Sequence, residues 1–201
     1  MKTTVSLLIV AIGITATAFA AESGPEPLLD PIPEKIQKGN IAVALEEFTR
    51  IPQSVDFGNP RQTNTAYARI QYMLPIPDGS GRLVINDLRG LLYVTNESGA
   101  TPTVLLDVRE QAINFDDSMF PNETGLAGFA FHPEFATLGK PGFGKFYTAY
   151  SASSDSGVAN YLDDDAANHE SVIREWTMND PTADVFSGTS RELFRMGQFD
   201  Q

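Results

Sequence analysis

The chain carries two histidines, no cysteine and a surplus of carboxylates, and each histidine sits in a suggestive context. His132 closes the apolar run GLAGFAFHPEF, Gly125 to Phe135. A histidine base must be reachable by substrate at the mouth of a pocket. His132 instead ends an apolar run and precedes Pro133, which biases it to extended backbone. That pattern fits a histidine capping a turn through hydrogen bonds. His169 follows Asp163, Asp164 and Asp165, and carboxylates with a histidine can hold a cation. The spacing lacks the alternating ligands and glycine turn of an EF-hand loop, so a solvated acidic loop is expected there. Phe129, Phe131, Tyr147 and Trp176 could stack on a sugar face, but rings within strand-like runs point first to a core. Asn96-Glu97-Ser98 and Asn122-Glu123-Thr124 match the glycan acceptor pattern, which matters only in a eukaryotic secretory pathway. No phosphate loop, zinc spacing or nucleophile elbow occurs, and two histidines without cysteine disfavour a soft-metal site.

The elements that would position these residues are strands. From Asp78 onward, turn signals alternate with short apolar runs. DGSG precedes RLVIND (Arg82 to Asp87), Arg89-Gly90 precedes LLYVT (Leu91 to Thr95), and NESG precedes TVLLDV (Thr103 to Val108). GLAGFAF, KFYTAYS (Lys145 to Ser151), SVIREWTM (Ser171 to Met178) and RELFRM (Arg191 to Met196) continue the series. Arg50 to Arg69 is polar and reads as loop. Ile41 to Phe48 (IAVALEEF) suits strand or helix equally. Many short strands and no convincing helix predict an all-β architecture. Two groups of consecutive antiparallel strands, Arg82 to Val108 and Gly125 to Met196, favour propeller blades over a single sandwich.

The start of the chain reads as a secretory signal over residues 1–20, with Lys2, an apolar stretch Val5 to Ile14 and Ala18-Phe19-Ala20 as cleavage site. An acid- and proline-rich lead-in follows over 21–40, then the main domain over 41–201. The expected mature protein is exported to the periplasm or beyond, with no membrane span. Without cysteine, packing or bound ions must supply its stability. With 26 acidic against 14 basic residues and a net charge of -12, nucleic acid and anionic membranes are disfavoured as partners.

ETGLAGFAFHPEF followed by GKFYTAYS resembles the N-terminal part of the glucose/sorbosone dehydrogenase family, whose signature strand ends in Phe-His-Pro-(Asp/Glu)-Phe. GSGRLVINDLRGLLYV resembles the family's preceding hairpin, and SVIREWTM with ADVFSGTSRELFRM its following strands. The resemblance runs from about Asp30 to Gln201 and is specific in Gly125 to Phe135. It implies a six-bladed β-propeller of which this chain supplies roughly the first two to three blades. It further implies an exported enzyme that oxidises a sugar hydroxyl by hydride transfer to pyrroloquinoline quinone, with calcium, and passes electrons to an acceptor.

The resemblance places the catalytic histidine beyond Gln201, with most quinone and calcium ligands in later blades, so the chain alone is expected to be inactive and marginally stable. His132 is not the family's base. One position carries over: the family's pocket-facing glutamine or glutamate matches Glu123. A glutamine there can donate to the quinone, whereas a carboxylate only accepts and faces a polyanion unless a cation lies nearby. Glu123 reads equally as an exposed loop acid. That departure leaves a second class open, a propeller retained as a binding or scaffold module. An unrelated β-sandwich adhesin is a third possibility, which the signature strand disfavours.

Overall fold

A computed structural model of the chain describes residues 39, 44–56, 66–112, 114–118, 123–154, 157–162 and 167–199. The signal over 1–20, the lead-in over 21–40 apart from residue 39, Asn122 and the triad Asp163 to Asp165 lie outside the described residues. The chain separates into two compact units, Met1–Ala44 and Leu45–Gln201, and the second holds all the regular structure described.

The fold is all-β. Strands β1 (Ile70–Pro75), β2 (Arg82–Asp87), β3 (Leu91–Asn96) and β4 (Thr103–Asp107) form one antiparallel sheet in chain order. Strands β5 (Leu126–Phe131), β6 (Lys145–Ser153), β7 (His169–Met178) and β8 (Gly188–Gln198) form a second, also in chain order. The expected runs fall on β2 to β8. β1 was not anticipated, and β8 extends well beyond RELFRM. Among the described residues the only helix is a single turn, α1 (Val108–Gln111), capped by Asp107, whose side chain accepts from the Arg109 N–H. It takes Val108 out of the strand predicted for it. Ala44 to Phe48 forms neither strand nor helix.

Alternation along the strands builds one core between the sheets. Val84, Leu92, Val94 and Leu106 from the first sheet join Leu126, Phe129, Phe146, Val172 and Trp176 from the second. Trp176 is wholly buried, and its indole N–H donates to Thr148 Oγ1 at 2.8 Å, so burial leaves no orphaned donor. On the first sheet, Ile85, Leu91 and Tyr93 form a second apolar group, against which Ile51 packs.

Polar contacts lock the sheets together. The Arg82 guanidinium donates to the carbonyls of Pro181 (2.7 Å), Thr182 and Ala183 (both 3.0 Å), and pairs with Asp78 (2.5 Å) and Asp184 (3.1 Å). The Tyr72 hydroxyl donates to the Phe129 carbonyl at 2.7 Å and accepts from the Phe129 N–H, while the two rings stack at 5.2 Å. Within the second sheet, Arg195 and Glu170 form an ion pair whose side chains are only 2% and 3% exposed. Arg195 also donates to both oxygens of Glu192 at 2.8 Å.

On β7, Glu175 accepts from Arg191 Nε at 2.7 Å and Lys145 Nζ at 2.9 Å. Arg191, and behind it Lys145, hold its carboxyl down at about 2 against the opposing effect of burial. A depressed carboxyl contributes stability that is complete above its ordinary value of 4.5 and is lost as pH falls through about 2. Glu175→Gln should therefore lower the urea midpoint at pH 7, and the variant and wild-type midpoints should converge as pH approaches 2. Parallel curves across that range would show that the pair contributes nothing.

Candidate functional site

The turn between β2 and β3 gathers the starts of both sheets. Leu88 N–H donates to the Arg69 carbonyl at 2.8 Å, and the Leu88 carbonyl accepts from Leu126 N–H at 2.7 Å. One residue thus ties the approach to β1 to the start of β5. Asn86 Nδ2 reinforces the junction by donating to the Leu126 carbonyl at 3.0 Å. Gly125 makes this approach possible. Its φ is +130°, and a Cβ there would lie 2.0 Å from the Leu88 carbonyl oxygen, so only glycine fits. At this junction lies a cavity of about 370 Å³ lined by Arg69, Gln71, Leu88, Glu123 and Ala127.

Its charges are unevenly satisfied. Asp87 is fully buried, and its Oδ1 accepts from the backbone N–H of Arg69 (3.2 Å) and Arg89 (3.0 Å), while Oδ2 has no hydrogen-bond partner. Arg89 is also buried and donates to Ser54 Oγ at 3.0 Å. The Arg69 guanidinium is half-buried and makes no hydrogen bond or ion pair among the described residues. Burial, and then the charge of Arg89, lower its pKa, with Asp117 and Asp87 opposing. Burial and the neighbouring Asp116 push the Asp117 carboxyl up. Two larger cavities, about 610 Å³ beside Arg82 and about 490 Å³ beside Arg109, hold their cations in ion pairs with Asp78 and Asp107. The Arg69 cavity differs in that its cation is in no ion pair among the described residues.

Glu123 is exposed and lines this cavity together with the Arg69 cation and the Gln71 amide. Arg69 and Gln71 escaped the sequence reading because they stand more than fifty residues from Glu123 and meet it only through Leu88. As a set, these side chains can bind a ligand that offers an anion and hydroxyl donors.

The other candidates are structural. His132 Nδ1 accepts from the Glu134 N–H at 3.0 Å, and its carbonyl accepts from Phe135 N–H at 2.8 Å, so it caps the turn as expected. Gly142 presses on the ring; a Cβ there would lie 1.8 Å from Nδ1. His169 corrects the expectation of a solvated loop. It opens β7, is 4% exposed, and pairs with Gln198 across the sheet. Burial holds its imidazole below the ordinary value, with Asp116 opposing. Phe129, Phe131 and Trp176 belong to the core, whereas Tyr147 is half-buried and its hydroxyl donates to Glu175 at 3.4 Å. Asn96 Oδ1 is occupied by Ser98 and by the Ala100 N–H. Among the described residues no group of three or more His, Cys, Asp or Glu could hold a metal ion, and no helix is long and apolar enough to cross a membrane. Comparison with protein-family models and with curated proteins finds no match for the chain.

Proposed function

We propose that the chain is the N-terminal part of a six-bladed propeller dehydrogenase that oxidises a sugar hydroxyl with pyrroloquinoline quinone as acceptor. The observation that carries this reading is the Arg69–Glu123 cavity at the junction of two four-stranded meanders. In a propeller the first strand of each blade lines the central channel, and this cavity borders the starts of β1 and β5, the first strands of the two sheets. Glu123 also precedes the signature run that carries the resemblance.

Bound quinone would supply the hydride acceptor. The Arg69 guanidinium and the Gln71 amide are the donors that line the cavity and would hold the anionic end of a bound ligand. Glu123 can only accept, so it orients hydroxyl groups better than it holds a polyanion. The sugar hydroxyl must lose its proton to a base. Neither histidine lines this cavity, and the resemblance assigns that base to a segment after RELFRM. Calcium needs six to eight oxygen ligands; among the described residues no three His, Cys, Asp or Glu come together to hold a metal ion, and the resemblance assigns most of the calcium ligands to later blades.

The test is the full-length protein incubated with the quinone and calcium, with dye reduction followed as aldose is added. Saturable reduction is expected, and Glu123→Gln should tighten quinone binding about tenfold by replacing a repelled acceptor with a donor. A second reading, a propeller kept as a binding scaffold, is favoured by the carboxylate at Glu123. Absence of both dye reduction and saturable quinone binding would decide for the scaffold.

A further inference from the structure

We propose that the Arg69 cavity selects a sugar acid, an aldonate or uronate, with its carboxylate on Arg69 and its hydroxyls on Glu123 and Gln71. The inference rests on the reading above only in taking this cavity as the ligand site. A guanidinium partly withdrawn from water gains from an anion brought into direct hydrogen-bonded contact. Arg69 is half-buried at the edge of open space, and among the described residues its side chain makes no hydrogen bond or ion pair, although Asp117 and Asp87 lie near enough to favour its charge. Buried Arg89 nearby adds to the positive potential. Asp87 and Asp117 act on Arg69 through space only, and neither forms an ion pair with its guanidinium.

The remaining lining defines the rest of the ligand. Glu123 accepts hydrogen bonds and no ion pair joins it to Arg69, so an amphiphilic partner with donors at one end and a negative charge at the other satisfies both. Leu88 and Ala127 provide an apolar surface for the C–H face of a pyranose. A volume of about 370 Å³ suits a monosaccharide rather than a polymer. A neutral aldose would leave the guanidinium unmatched, and sites built for a charged partner reject analogues that lack it.

The experiment is calorimetric titration of the full-length protein with D-glucuronate, D-glucose and pyrroloquinoline quinone, in wild type, Arg69→Gln and Arg69→Lys. Glucuronate should bind at least ~10-fold more tightly than glucose, and Arg69→Gln should remove that preference by weakening glucuronate. Arg69→Lys should retain part of it, because the charge survives without the planar fork. Among the described residues the Arg69 side chain makes no hydrogen bond, so unaltered circular dichroism and melting are expected for both variants. Equal binding of glucuronate and glucose by wild type, or a preference that survives Arg69→Gln, overturns the inference. Quinone binding that is lost in Arg69→Gln, with no glucuronate binding in wild type, assigns Arg69 to the quinone's carboxylate and also overturns it. Glucuronate preference without quinone binding sustains the inference and sinks the quinone reading instead.

Discussion

Alanine at Gly125 should lower the unfolding free energy by about 4 kcal/mol or more, a loss in the exceptional range for one methyl group. Two costs add. A backbone φ of +130° is one that L side chains rarely adopt, and the new Cβ would lie 2.0 Å from the Leu88 carbonyl oxygen. That oxygen belongs to the backbone and accepts from Leu126, so it cannot swing aside without breaking the junction of the sheets. The clash would therefore also deform the cavity lined by Leu88 and Glu123. Gly79→Ala is the control. Its φ of +73° carries a conformational cost of about 1 kcal/mol, and nothing lies within 4 Å of the added atom. Urea unfolding of both variants checks the argument. A Gly125→Ala midpoint no lower than that of Gly79→Ala would mean that the Leu88 approach is not rigid.

Arg195→Met should cost about 3–5 kcal/mol, because it removes the buried guanidinium that pairs with the buried carboxylate of Glu170. Glu192, which also pairs with Arg195, has a side chain 30% exposed and can turn to water. Glu170→Met combined with Arg195→Met should recover most of the loss, since neither charge then remains buried. Guanidinium unfolding of the two single variants and the double variant measures the coupling. If the double variant loses as much as the two singles added together, the pair is not coupled and the cost lies in packing of the long side chains.

The two predictions also mark where sequence reading stops. RLVIND, LLYVT and KFYTAYS announce themselves because alternate side chains enter a core, and the register between β2 and β3 follows from the tight turn at Arg89-Gly90. β1 did not, because IQYMLP buries little and has a proline at its end. The opening of β8, GTS, is exposed and held by backbone pairing to β7, which leaves no periodic imprint. Burial of Arg89 and Arg195 was equally hidden. A charged residue in a strand reads as outward-facing until its partner is known, and Glu170 lies 25 residues from Arg195. The same locality explains the site. His132 and its turn are legible from His-Pro alone, whereas Arg69 acquires meaning only when Leu88 brings it to Glu123. His169 was misread because its acidic neighbours suggested solvent, while Gln198 and the sheet enclose it.

The hydroxyl of Tyr72 has a consequence for solubility. LAGFAF is six residues without charge or proline, the composition that stacks into cross-β fibrils when its backbone is open to another chain. β5 lies at the margin of its sheet, and the midpoint of that margin is Phe129. There a single phenol engages both the amide and the carbonyl, standing in for the hydrogen bonds an incoming strand would make. This uncharged edge segment is thereby blocked at Phe129 from templating another chain by a side chain from the other sheet.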